Sequence, residues 1–398
     1  MKVFYHSLAD FFLQKRFLFL GILLAYVLPR FFYGIYVFYY GDSAHYYFSL
    51  GNFRQYIDSF IAFGNKFSLN DKKVIFIISM FTTAVITIGI FRKGYLFSKS
   101  KVAATYTALL YLIHPLAVSY SGEPRLVHFT HSIFIAGAFL VINQNKKLLW
   151  KNLMGIFLLF ISVKVNPEIY PYALLFFIFN IFEGVYSQPD KEQNYFILVG
   201  QALVFLTSSM IFLGWNNLVP LSTKVLEQVE YVVSIFTTEG KPALTVLPNL
   251  LDEYFRNLMK NYFSPVLIVF PFLLIGFGKE LKLSNHSRGL YSFSFLVCSM
   301  FLLEFKNLSQ GINQQMYMGI ILSILISSIG CHRLYNRFSY TYVRAFIIFF
   351  LPLSLTFGLF AKSYRDYYRQ QSLVGLMPNL QKNIVQKTKP SFCPMDRI

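Results

Sequence analysis

Asp42 is a carboxylate at the end of an apolar run, in Tyr39-Tyr40-Gly41-Asp42-Ser43-Ala44-His45-Tyr46-Tyr47. A carboxylate beside hydrocarbon has its charged form disfavoured, which raises its proton affinity and suits it to accept a proton from an attacking hydroxyl. His45, about a helical turn further on, can serve the same proton or contact a phosphate. The plain alternative for Asp42 is a helix end solvated among lipid headgroups.

Three later clusters carry related chemistry. Ser121-Gly122-Glu123-Pro124-Arg125 offers a second acid and a cation, or else an ordinary solvated turn. His128 and His131 follow it three apart, on one helical face just inside an apolar run, where polar groups normally face a cavity or a partner. The next cluster is Ser162-Val163-Lys164-Val165-Asn166-Pro167-Glu168, a tight hairpin. Lys164 and Glu168 either pair to cap it, or Lys164 holds an anionic phosphate while Asn166 and Glu168 contact polyol hydroxyls. Glu304-Phe305-Lys306-Asn307, followed by Gln310, Asn313, Gln314 and Gln315, repeats that mixture as a cavity lining.

These residues need a scaffold, and composition says which kind. Hydrophobic residues make up 55%, aromatics 19% and charged residues 14%. Such a balance excludes an ordinary water-soluble domain and predicts an all-α polytopic membrane protein. Apolar runs long enough to cross about 30 Å of hydrocarbon predict about eleven spans. They are placed at 17 to 40, 74 to 91, 102 to 119, 127 to 143, 152 to 165, 170 to 185, 195 to 214, 262 to 277, 289 to 303, 314 to 331 and 342 to 361. The first lacks a small-residue cleavage site and runs past Pro29 and Arg30, so it is expected to stay as an anchor. Residues 1 to 361 form one transmembrane domain on this reading, and 362 to 398 a polar, basic tail.

Lysines and arginines recur in alternate short loops: Lys2, Lys15 and Arg16, then Arg92, Lys93, Lys99 and Lys101, then Lys146, Lys147 and Lys151, then Lys279, Lys282 and Arg288, then Arg333, Arg337 and Arg344. This bias puts those loops and the N-terminus in the cytoplasm, and all four polar clusters on the opposite, extracytoplasmic face of a bacterial-type inner membrane. An odd span count leaves the tail outside. The net charge of +18 is then a topology signal scattered over loops, which argues against nucleic acid as a partner.

The two longest outer connections, 41 to 73 and 215 to 261, are the first and fourth extracytoplasmic loops, and both read as amphipathic interfacial helices. Phe53, Tyr56, Ile57, Phe60 and Ile61 make one apolar face. Val225, Leu226, Val229, Val232, Val233 and Phe236 make a second, and Leu247, Leu250, Leu251, Tyr254, Phe255, Leu258 and Met259 a third. Helices of this kind either pack on the bundle and headgroups or wall a groove open to the bilayer, as a lipid-attached substrate requires.

Cys298, Cys331 and Cys393 have neither metal-ligand nor disulfide-framework spacing. No Gly-rich phosphate loop, His-Glu-x-x-His or Gly-x-Ser-x-Gly is present, which leaves soluble-type nucleotide hydrolysis, zinc proteolysis and serine hydrolysis unsupported. The absence of visible internal repeats lowers the case for an inverted-repeat transporter.

The order of features resembles the C-type glycosyltransferase superfamily, integral membrane enzymes that take a sugar from a lipid phosphate carrier at the outer membrane face. The resemblance rests on Gly41-Asp42-Ser43-Ala44-His45-Tyr46-Tyr47 and the surface helix behind it, on Leu109 to Pro115 leading to Gly122-Glu123-Pro124-Arg125, and on the Lys146 and Lys147 loop before Val163 to Glu168. It covers roughly residues 10 to 180 and is also similar to an uncharacterised bacterial multi-pass membrane family grouped with these enzymes. It implies Asp42 as catalytic base and Glu123 as the second-loop acid. Many members carry paired acids in the first loop, whereas Ser43 follows Asp42 here, so no cofactor is assigned and a divalent cation stays open.

The reaction implied is an inverting transfer from a polyprenyl-phosphate donor to a glycan, lipid or protein acceptor of the cell envelope. Arg125, Lys164 or Arg256 would neutralise the leaving phosphate. Two other readings stand beside it: a flippase or transporter of a lipid-linked or anionic substrate, and an envelope polysaccharide polymerase or ligase. A carrier should bear ionisable groups at mid-membrane depth in several helices, where this chain has mainly Arg30. A polymerase of this kind relies on arginines in large outer loops, and Arg256 is the sole arginine between 215 and 261.

Overall fold

The computed structural model describes residues 23–28, 30, 58, 62–64, 66, 71–122, 126–142, 149–187, 192–238, 243–276, 289–311 and 314–337. Among the described residues the secondary structure is helical throughout, with no strand. The expected spans at 17 to 40 and 342 to 361 lie wholly or largely outside them, as do the first-loop helix and the tail.

Helix α1 (Asp71–Ser98) shows how an apolar medium shapes this sequence. Ile77, Phe81, Val85 and Ile88 form a row left exposed, whereas Ile75, Ser79, Thr83, Ile86 and Ile90 are buried. The inward hydroxyls of Thr83 and Thr87 donate to carbonyls one turn back, Ser79 O at 2.9 Å and Thr83 O at 2.7 Å. These two hydroxyls are satisfied within their own helix, while Ser79 Oγ donates across to Ser121 O at 2.8 Å. Apolar residues outside and small polar residues inside is the pattern of a helix facing lipid.

Helix α2 (Lys101–Ile113) is capped by Ser100, whose Oγ accepts from Ala103 N at 3.3 Å. Pro115 lacks the N–H that a continuous helix needs, so the chain breaks at His114. Helix α3 (Pro115–Gly122) leaves at 60°. Helices α4 (Leu126–Val141) and α5 (Leu149–Val165) pack as an antiparallel pair. A Cβ on Gly137 would stand 2.8 Å from Gly155 O, and one on Gly155 would stand 2.8 Å from Gly137 O. Only glycine lets the two backbones approach this closely.

A short turn at Pro167–Ile169 opens α6 (Tyr170–Ser187). Helix α7 (Glu192–Leu213) ends at Gly214, whose φ of +74° suits glycine. Then come α8 (Leu221–Thr238) and α9 (Ala243–Tyr262). Phe263 adopts φ +54°, Pro265 starts α10 (Pro265–Gly276), and the two helices meet at 101°. The proline cannot continue the helix before it, which makes this corner sharp. The span expected at 262 to 277 therefore begins after the corner.

Helix α11 (Leu290–Leu303) is followed by the short α12 (Phe305–Ser309) and by α13 (Met316–Arg337). From Met316 to Ile329 α13 is buried on all sides, packing against α1, α2, α4, α10 and α11, so it forms the core around which the bundle is assembled. By length and composition, three of the described helices suffice to cross a membrane: Lys73–Ser98, Pro167–Val185 and Phe196–Leu213. Counting α2 with α3, and α9 with α10, as bent spans makes five. Leu126–Val141, Leu290–Leu303 and Met316–His332 are shorter apolar helices, and a count of eleven goes beyond what the described residues contain.

Candidate functional site

Segments distant in the chain meet at one end of the bundle. The turn entering α6 brings Glu168, the α11 to α12 corner brings Lys306 and Asn307, and the lead into α13 brings Gln314 and Gln315. Together with Val219, Lys224 and Glu227 they line a polar cavity of about 290 Å³. Gln315 Nε2 donates to Glu168 Oε2 and ties two of the segments together across the cavity.

Glu304 is the anchor of this arrangement. Fully buried at the corner where α11 ends, it accepts from Tyr172 Oη on one oxygen and from Asn307 Nδ2 on the other. Lys224 Nζ lies 3.6 Å from Oε1, and both side chains are almost wholly withdrawn from solvent. Burial pushes the Glu304 carboxyl up to about 8. The nearby ammonium favours its ionised form. Lys224 and Asn307 are thus both held at the cavity wall by one carboxyl.

Helix α8 is built inside out. Lys224, Glu227, Gln228 and Tyr231 occupy its inner side, and Gln228 Oε1 accepts from Lys306 N at 2.7 Å. Val225, Leu226, Val229 and Val233, expected to be one apolar face, are all exposed, between 46% and 54%. The face expected on α9 is split: Leu250, Tyr254 and Leu258 are buried with Val246 and Tyr262, while Leu247, Leu251, Phe255 and Met259 are exposed. Tyr254 Oη donates to Phe301 O at 2.8 Å and Asn257 Nδ2 to Ser309 O at 3.2 Å, which seats α9 beside the cavity.

A second polar group is buried within the bundle. Arg30 Nε donates to Ser121 Oγ at 2.7 Å and Nη1 to Leu112 O at 3.1 Å. His128 Nδ1 is 3.0 Å from Tyr317 Oη, its Nε2 is 3.3 Å from Thr83 Oγ1, and Tyr317 Oη is 3.1 Å from Tyr111 Oη. His131 Nδ1 accepts from Met318 N at 3.2 Å, satisfying one of the backbone donors that the start of α13 leaves open. Accepting there makes Nδ1 the unprotonated nitrogen.

The expected site residues therefore divide. Glu168, Lys306 and Asn307 line the cavity and Glu304 backs it. His128 and His131 bond to neighbouring helices instead of lining the cavity. Asn166 caps the turn, its Oδ1 accepting from Glu168 N at 3.3 Å, and it lies outside the cavity lining. Lys164 is exposed and outside the lining, and Glu168 bonds Gln315, so no Lys164 to Glu168 cap holds the hairpin. Arg256 is exposed and pairs with Asp252 one turn back, away from the lining. Asp42, His45, Glu123 and Arg125 lie outside the described residues.

Lys224 and Glu227 were not singled out by sequence reading. Their signal was the polar row at 224, 227, 228 and 231, which reading α8 only for its apolar face passes over. Among the described residues no three His, Cys, Asp or Glu side chains gather as a metal cage, and Cys298 and Cys331 are free thiols. No protein-family model, no curated protein and no solved structure matches this chain.

Proposed function

We propose that this protein is a multi-span membrane glycosyltransferase of the C type, transferring one sugar from a polyprenyl-phosphate donor to a cell-envelope acceptor at the extracytoplasmic face. The observation that carries this reading is the polar cavity walled by α8, whose inner side bears Lys224 and Glu227 and whose outer side exposes valines and a leucine. A ligand with a hydroxyl-rich head and a long apolar tail has use for both sides of such a wall, because the tail is too costly to pull into water.

The finer topology belongs to the same proposal: about eleven spans, N-terminus in the cytoplasm, the cavity facing outward, and α8 and α9 lying at the membrane surface. The 101° corner between α9 and α10 supports this. A helix at right angles to a crossing helix runs in the membrane plane. The basic loops support the orientation.

In the reaction, the acceptor hydroxyl attacks the anomeric carbon as the bond from that carbon to the phosphate oxygen breaks, and the lipid phosphate leaves with the electron pair. Asp42 takes the hydroxyl proton, and inversion follows from the single displacement. Glu123 is the second acid, with His45 and Arg125 beside the leaving phosphate.

The transporter reading is weakened by Arg30, whose Nε and Nη1 are engaged by Ser121 Oγ and by the carbonyls of Tyr26 and Leu112, leaving only Nη2 without a partner among the described residues. The test is release of polyprenyl phosphate by the full-length protein in nanodiscs supplied with a panel of polyprenyl-phosphate monosaccharides. Asp42→Asn should lower turnover about 10²–10⁴-fold, the range of general base catalysis. Full retained turnover refutes Asp42 as the base.

A further inference from the structure

The charge of the cavity says what part of a ligand it takes. Lys224 and Lys306 face Glu168 and Glu227 across it, with Glu304 directly behind Lys224. If Glu304 is protonated the lining is neutral, and if Glu304 is ionised the set is negative by one charge. In neither state is it positive. A phosphate placed here would meet as many carboxylates as ammonium groups, so the lining gives it no electrostatic advantage over water.

A neutral polyol fits the same lining. Carboxylate oxygens of Glu168 and Glu227 accept from hydroxyls, Lys306 donates to them, and the amide of Gln314 can do either. A lining of mixed donors and acceptors suits groups that are both donor and acceptor, as every hydroxyl is. Size sets a further limit. The cavity volume is about 290 Å³. That lies at the bottom of the range for small-molecule pockets, roughly 300–1,000 Å³, which leaves room for one ring and not for an oligosaccharide.

We propose that this cavity is a subsite for a single uncharged sugar ring, with Glu227 and Gln314 as its specificity-determining contacts, and that the phosphate of a lipid-linked donor lies outside it. The proposal rests on the transferase reading for its biological donor, but the binding it describes is independent of turnover. Val219 supplies the apolar part of the lining, and a large side chain there fills the space without touching the charges.

Saturation-transfer NMR on the full-length protein in nanodiscs tests it, with methyl β-glucopyranoside, methyl β-galactopyranoside and methyl N-acetylglucosaminide as neutral probes. Glucuronate and glucosamine are the charged ones, and inorganic phosphate, which carries no carbon-bound proton, is read by its displacement of a sugar signal. At least one neutral glycoside should give signal, weakened roughly tenfold in affinity by Glu227→Gln or Gln314→Ala and abolished by Val219→Trp. Glu230→Gln, on the exposed side of α8, should leave it unchanged. Circular dichroism and the thermal midpoint confirm that each variant is folded.

Silence from every neutral glycoside, preferential binding of phosphate or glucuronate, or a signal indifferent to Val219→Trp and Glu227→Gln overturns the subsite. Sugar binding that obeys the cavity variants without turnover of any lipid-linked donor supports the subsite and sinks the transferase reading alone. Turnover with sugar binding indifferent to these variants does the reverse.

Discussion

Glu304 concentrates the energetic risk of the site. Its buried carboxyl holds Tyr172, Asn307 and Lys224. Removing one partner of a buried pair leaves the other charge unpaired in a poorly polarisable setting. Glu304→Ala should cost about 1–3 kcal/mol, because Tyr172 and Asn307 lose their shared acceptor, while the double change Glu304→Met with Lys224→Met should recover the part due to an unpaired Lys224. The thermal midpoint of the solubilised protein reads both. Because burial raises the folded carboxyl from 4.5 to about 8, the folded state holds this proton more tightly than the unfolded chain. The resulting stability is full below pH 4.5 and is lost as pH climbs through about 8; the Lys224 ammonium reduces the loss. A midpoint that declines over this window in the parent and is flat in Glu304→Gln is expected, and an equal decline in the variant assigns the titration elsewhere.

At the scale of elements, the α4 and α5 pair depends on glycine at its point of closest approach. Gly137→Val should cost about 1–3 kcal/mol or more through overpacking, because the added atoms meet the Gly155 backbone, which has nowhere to move. Gly200 in α7 is the contrast, since a Cβ there meets nothing within 4 Å. Gly200→Ala should raise stability by about 0.5–1 kcal/mol. Helix α11 depends on a partner in another helix. Gly289, with φ +92°, brings no side chain to its own cap, and Glu183 of α6 accepts from Gly289 N at 2.7 Å and Ser292 N at 2.9 Å in its place. Glu183→Ala should therefore speed amide hydrogen exchange at 289 to 292, with a cost of about 1–3 kcal/mol. Unchanged exchange there means that the cap carries no weight.

For the whole molecule, the corner at Phe263 to Pro265 decides how the chain meets a bilayer. On the proposed topology the 101° corner would lay α9 along the membrane surface, with its exposed Leu247, Leu251, Phe255 and Met259 toward acyl chains. Phe255→Trp in brominated-lipid nanodiscs should be quenched most by lipids brominated close to the headgroup. Quenching that is strongest with bromines near the chain ends would put α9 across the membrane instead.

Much of the scaffold is legible in the sequence because hydrocarbon forces every backbone group to bond within its own segment, so apolar runs become helices wherever they are long enough. That logic places α6 (Tyr170–Ser187) and α7 (Glu192–Leu213) close to the expected 170 to 185 and 195 to 214, whereas α1 runs on to Ser98, past the expected end at 91. It also marks Glu168 and Glu304 to Asn307 as poor lipid-facing groups, since polar atoms at a span's end need water, a partner or a cavity. It does not say which. Asn166, which offers a ligand contact, also caps its turn, and His131, which the sequence leaves between a cavity and a partner, bonds the first turn of α13. The second of these choices depends on a neighbour that is distant in the chain, and the first on the turn that Pro167 opens.

The sequence by itself determined that this is an all-helical membrane protein with polar clusters at the ends of its helices, because those properties follow from local hydrophobicity and period. Only the tertiary structure decided that Glu168 meets Gln315, that Lys224 points inward to Glu304, and that α8 turns its polar row to the cavity while leaving Val225, Leu226, Val229 and Val233 exposed. Those outcomes turn on which helices become neighbours, and pairing across 147 residues between Glu168 and Gln315 leaves no periodic trace in either segment.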